Sequence, residues 1–161
     1  MIRQTVFSLV ILLAASLSAG AADGSDIKIL VSNAGSAGTQ AMLSVAEIET
    51  AGLQEIEAYN PYEKRSDTYS GVWMQDFVAR FGTGDVTALT TKAIDAYEIR
   101  FAREEWQTMR ILIATRVNGE YIDFDRKGPM RIIFPDFDDT VEAFQDSLPK
   151  WTWMITEISM E

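Results

Sequence analysis

The chain has 161 residues with 14 Lys and Arg against 24 Asp and Glu, a formal net charge of −10, and neither Cys nor His. Such a chain forms no disulfide, offers no thiolate or imidazole to a metal, and lacks both the nucleophilic cysteine and the commonest general base. Its acidity and the absence of a basic run repel phosphate backbones and anionic lipid, which argues against nucleic acid as a partner.

The N-terminus reads as a secretory leader. Arg3 supplies a short positive start, residues 6–17 (VFSLVILLAASL) are almost wholly apolar, and Ala19-Gly20-Ala21 has the small-residue spacing of a cleavage site. The apolar run is shorter than the roughly 20 residues that a membrane helix needs. The expectation is a cleaved signal peptide over 1–21. A single domain over 22–161 then acts in the periplasm or is secreted, with no membrane insertion after cleavage.

Residues 27–31 (IKILV) predict a strand, ended by the Gly, Ser and Asn cluster of 32–39. Ser44 and Glu47 have capping-box spacing and open a short helix that Gly52 stops. Residues 53–59 alternate apolar and polar as a half-buried strand does, up to Pro61. Ser70-Gly71 leads into a predicted helix over 72–81, where Trp73, Phe77 and Phe81 recur at helical spacing; that stripe reads as core. Strands are predicted over 86–91 and 96–101, a helical turn or loop at Glu104-Glu105-Trp106, and a buried strand over 110–117. Asn118-Gly119 then signals a hairpin. A strand over 130–134, an acidic loop over 136–139, a small helix over 140–145 and a closing strand over 151–158 complete the chain. The sum is an α+β domain with strands in the majority.

Few residues offer chemistry. The aspartates at 123, 125, 136, 138 and 139 match no EF-hand spacing and read as solvated loops in an acidic protein. Glu104 and Glu105 are adjacent and point apart on any regular element. No Ser or Thr has a histidine to activate it, and no glycine-rich nucleotide cradle is present. Arg126, Lys127 and Arg131 bracket Gly128-Pro129, with Lys150 further on. Beside a tight turn such residues can hold an anion, but pairing with nearby aspartates is the plainer reading.

Three stretches together resemble the molybdopterin-binding domain of the sulfite oxidase family in its short, exported, single-domain bacterial form. The first runs from 56–62 (IEAYNPY) to 69–77 (YSGVWMQDF), the second from 118–122 (NGEYI) through 127–135 (KGPMRIIFP), and the third is 150–158 (KWTWMITEI). The middle stretch is the most specific. The resemblance implies a mixed, strand-rich sheet domain with a few short helices. In that family a pterin dithiolene and one cysteine thiolate hold molybdenum for two-electron oxo chemistry. The family's cysteine position falls at Tyr59, and a phenol is no soft thiolate. Arg131 matches the arginine that reaches the cofactor, Lys150 the basic residue near the pterin phosphate, and Thr91 a pocket threonine. The family's glycine- and lysine-rich loop is replaced by the acidic segment from Asp136 to Asp139.

The resemblance thus implies a domain that has lost metal catalysis, with no catalytic residue and no metal ligand. Arg131, Lys150, Thr91 and Tyr59 are its candidate cofactor-binding residues, for a pterin or molybdopterin without molybdenum. Its expected role is to bind a pterin-like or other small ligand in the old cofactor cleft. A cofactor-free sensory or protein-interaction accessory stays open, its periplasmic partner meeting aromatics among Tyr59, Tyr62, Tyr69, Trp151 and Trp153. A working molybdopterin oxidoreductase is the third reading.

Overall fold

The computed structural model describes residues 24–33 and 39–161; the predicted leader, and most of the loop predicted over 32–39, lie outside these residues. The fold is α+β and strand-rich, as expected. In chain order it comprises β1 (Lys28–Asn33), β2 (Thr39–Ser44), α1 (Val45–Glu49), β3 (Leu53–Asn60), β4 (Arg65–Trp73), α2 (Met74–Phe81), β5 (Ala88–Ala93) and β6 (Glu98–Ala102). Then follow α3 (Arg103–Thr108), β7 (Leu112–Val117), β8 (Glu120–Tyr121), β9 (Arg131–Ile133), α4 (Glu142–Gln145) and β10 (Ile155–Met160).

The strands form two sheets. One has the order β2-β1-β10-β5-β6, and the other β3-β4-β7-β8 with β9 also paired to β7. Pairing is antiparallel except between β1 and β10, where Leu30 to Asn33 run parallel to Glu157 to Met160 and tie the two ends of the described chain together. One apolar cluster draws on both sheets and on α1, α2 and α3; Ile29, Ile48, Tyr69, Phe77, Phe101 and Leu112 are among its fully enclosed members.

Local signals explain most elements. Ser44 caps α1 as predicted: its Oγ accepts from the Glu47 amide at 3.1 Å while Glu47 Oε2 accepts from the Ser44 amide at 2.7 Å. Asn118 and Gly119 both take positive φ, 53° and 84°, which is what the two-residue β7–β8 turn requires. The Trp73, Phe77 and Phe81 stripe does face the core, with Phe77 wholly enclosed and its ring 5.1 Å from that of Phe81.

Three expectations are corrected. Strand β2 adds an element to residues 40–43, for which the sequence predicts none and which follow the predicted cluster of 32–39; its first four residues are exposed and show no alternation. The predicted helix over 72–81 begins at Met74, because residues 65–73 form β4. Gly71 disguised that strand; it sits at a register shift in the β4–β7 ladder, where a Cβ would lie 2.7 Å from the Ala114 Cα. The closing strand starts at Ile155 rather than at 151, because Met154 takes φ 56° and breaks the extended run. Residues 151–154 instead form an irregular arm that touches β9 through one bridge, Arg131 to Trp153. That arm builds the cleft.

Candidate binding cleft

A cleft of about 290 Å³ opens between three backbone segments: the turn after β3 with Tyr62, the β5–β6 turn from Ala93 to Tyr97, and the arm from Pro149 to Met154. Each segment is fixed by its own hydrogen bonds. Asn60 Oδ1 accepts from the amides of Tyr62 at 3.0 Å and Glu63 at 3.2 Å, an Asx turn that sets Tyr62 at the cleft. In the β5–β6 turn Ala96 adopts φ 67°, and the Tyr97 amide donates to Asp95 Oδ1 at 3.1 Å. The arm is tied down where the Met154 amide donates to the Lys127 carbonyl at 3.1 Å and the Ile94 amide to the Met154 carbonyl at 3.0 Å.

The walls are aromatic: Tyr62, Tyr97, Trp151 and Trp153. Trp153 meets Tyr62 edge to face at 5.5 Å, and Trp151 is held from behind by Phe134 and Phe137, each 5.8 Å away. Tyr62, Tyr97 and Trp153 remain 48%, 47% and 38% exposed, so a ligand can reach them. Desolvation, and then the neighbouring Tyr97, push the Tyr62 phenol above its ordinary range. It therefore stays a protonated donor at neutral pH, and it donates to the Leu148 carbonyl at 2.6 Å. Tyr97 likewise donates to the Pro149 carbonyl at 3.0 Å.

The donors lining this cleft are largely committed. The amides of Ala93, Ile94, Tyr97, Trp151, Thr152 and Met154 all have acceptors within the protein, and the Thr152 hydroxyl donates to the Lys150 carbonyl at 3.3 Å. Among the described residues no Lys or Arg lines the cleft, and the one charged residue in its lining is Asp95. Such walls suit a flat or cationic group far better than a phosphate, which needs several free donors.

None of the four residues singled out by the sequence lines this cleft. Arg131, on β9, is almost enclosed; its Nη1 donates to Glu63 Oε1 at 2.8 Å and its Nη2 to the Arg126 carbonyl. Lys150 ends a 3-10 turn (Leu148–Lys150) and is paired with Glu105, its ammonium 5.6 Å from the Phe101 ring centre. Thr91 is fully buried on β5 opposite Ile158 and Ile99. Tyr59 lies on β3, where Ala58 and Asn60 point inward, and is 45% exposed on the outer face. The four are therefore dispersed over two sheets and a turn.

A second concavity, of about 460 Å³, carries the basic residues Arg65, Arg126, Lys127 and Arg131. Carboxylates already hold them: Arg65 pairs with Asp67 at 2.7 Å and Arg126 with Glu120 at 3.1 Å. Lys127 lies 3.9 Å from Glu63 and 5.0 Å from the Trp153 ring centre. Arg126, Lys127, Arg131 and Lys150 are ion-paired, but mainly with Glu63, Glu105 and Glu120; of the neighbouring aspartates only Asp123 takes part, 3.5 Å from Arg126.

The residues present do not fit a molybdopterin. The chain has no thiolate, and among the described residues no three His, Cys, Asp or Glu side chains come together to hold a metal ion. Arg131 and Lys150, two of the four positions expected to meet the cofactor, are paired with carboxylates. Thr91 Oγ1, Arg131 Nε and Trp151 Nε1 are buried without a hydrogen-bond partner, and each is closed off from solvent.

Asp95 lies in the turn between the two predicted strands, and Tyr97, predicted to be in the second strand, lies just before β6; neither position carries a signal of its own in the sequence. Tyr62, Trp151 and Trp153 were visible as aromatics, but nothing in their spacing showed that they converge.

No protein-family model matches the chain, and no curated protein matches it. Among solved structures, the sulfane dehydrogenase SoxCD from Paracoccus pantotrophus is similar, with a TM-score of 0.59 at 12% sequence identity. The match covers 85% of this chain and 38% of that one, so the chain spans well under half of its neighbour's length. At this identity the likeness is one of fold: the chain shares a distant structural relationship with part of a dehydrogenase.

Proposed function

We propose that the domain is exported and acts outside the cytoplasm as a non-catalytic binding module, holding a pterin-like or other small ligand in the aromatic cleft. The observation that carries this reading is the cleft itself, open, about 290 Å³ in volume and walled by Tyr62, Tyr97, Trp151 and Trp153. Ligand sites are concave and mostly apolar with a few placed polar groups, and this volume lies at the small end of their range. Aromatic walls stack a flat ring, while the committed donors disfavour a phosphate tail. The missing thiolate argues against a metal centre. The distant fold likeness to a dehydrogenase supports descent from a redox scaffold and says nothing of this domain's own ligand.

The test is to purify the protein from its native host and measure molybdenum, oxidised-pterin fluorescence and released small molecules. The expected result is molybdenum far below one per chain and a released small molecule. Stoichiometric molybdenum with turnover of a sulfite- or sulfoxide-type substrate would overturn the non-catalytic reading.

A second reading, a cofactor-free accessory that docks a periplasmic protein, is favoured by one feature: Ile94, at the rim of the same cleft, is 57% exposed. Apolar side chains around a concavity also suit an inserted partner residue. Released small molecule in the purification above decides between the two.

A further inference from the structure

We infer that the aromatic cleft selects a small organic cation of the quaternary or alkylated ammonium class; this rests on reading the cleft as a ligand site. Aromatic rings carry negative charge on their faces, and a cage of them is the standard way to hold an ammonium that offers no hydrogen-bond donor. Tyr62, Tyr97 and Trp153 are open to solvent along one cleft, with Trp151 at its wall.

Polarity points the same way. Both phenol hydroxyls spend their protons on backbone carbonyls, Tyr62 on Leu148 and Tyr97 on Pro149, so each phenol oxygen has only lone pairs to offer a ligand. The Asp95 carboxylate lies exposed in the lining and accepts from the Tyr97 amide; among the described residues no Lys or Arg pairs with it. One carboxylate, two acceptor phenols and few free donors complement a positive charge. Trp153 already receives a cation, since Lys127 Nζ lies 5.0 Å from its ring centre without lining the cleft. The net charge of −10 draws cations toward the surface as a whole. The small volume fits a headgroup of choline size rather than a nucleotide.

The experiment is calorimetric titration of the mature protein with choline, with its neutral isostere 3,3-dimethylbutanol and with 6-hydroxymethylpterin. Choline is expected to bind roughly tenfold more tightly than the isostere. Trp153→Ala should weaken choline by roughly tenfold, and Asp95→Asn, which keeps the acceptor for the Tyr97 amide, by roughly threefold. Both side chains are exposed enough for the variants to fold, which far-UV dichroism checks. Isostere binding equal to choline, or pterin binding alone, overturns cation selection and leaves the cleft standing as a ligand site. Choline binding untouched by Trp153→Ala overturns its placement in the cleft. Silence from all three probes overturns both the inference and the reading beneath it.

Discussion

Arg131 Nη1 donates to Glu63 Oε1 across 2.8 Å, with the two side chains only 9% and 19% exposed. The pair joins β9 to the turn that carries Tyr62, so it couples the most specific stretch of the sequence to the wall of the cleft. A mostly buried pair adds little over a good apolar contact, but a lone buried charge is costly. Glu63→Ala should therefore destabilise the domain by about 3 kcal/mol, and the Glu63→Leu, Arg131→Met double variant by clearly less. Urea unfolding of the three proteins checks this. A single variant within about 0.5 kcal/mol of wild type would show the pair to be solvated after all.

Gly71 makes a steric prediction. A Cβ there would run into the Ile113 carbonyl and come within 2.7 Å of the Ala114 Cα, both of them backbone. Neither neighbour can rotate away. Gly71→Ala should cost roughly 1–3 kcal/mol by overpacking, and thermal unfolding should show it. Gly84→Ala, with no atom within 4 Å but φ +72°, tests backbone strain without crowding and should cost about 1 kcal/mol.

The Arg110 hydrogen bonds to Asp136 hold that carboxyl below its ordinary range, against the opposing effect of desolvation. A group whose pKa is lower folded than unfolded contributes stability above its unfolded pKa and loses it as pH falls through the folded one. Both partners are about half exposed, so the pair is worth under about 1 kcal/mol. Asp136→Asn should lower the melting temperature slightly at pH 7. The two proteins should converge as pH drops below the depressed value. A gap that widens in acid would reverse the sign.

Export makes a covalent prediction. If residues 1–21 are a leader, the intact mass of protein from the culture supernatant or periplasm should correspond to a chain beginning at Ala22. A full-length mass in that fraction would show the leader to be retained.

How much of this was legible in the sequence follows from what each signal depends on. The capping box at Ser44 and the Asn118-Gly119 turn are decided within a few residues, so both were readable. Strand β4 was not, since a polar start and Gly71 hide a pairing that only β3 and β7 reveal. Positions in the resemblance were legible as positions, but what faces them was not. Glu63 and Glu105 lie 68 and 45 residues from Arg131 and Lys150, and only the fold brings each carboxylate to its cation. The cleft is the extreme case. Its walls come from residues 62, 93–97 and 149–154, three segments far apart in the chain, the last of them ended by Met154 at φ 56°.

The central claim is tested most directly by a crystal structure of the mature protein purified from its native host without added ligand. The account predicts density for a small, metal-free molecule among Tyr62, Tyr97, Trp151 and Trp153, with Arg131 still on Glu63. Density for a molybdenum pterin, its phosphate on Arg131 or Lys150, would contradict it.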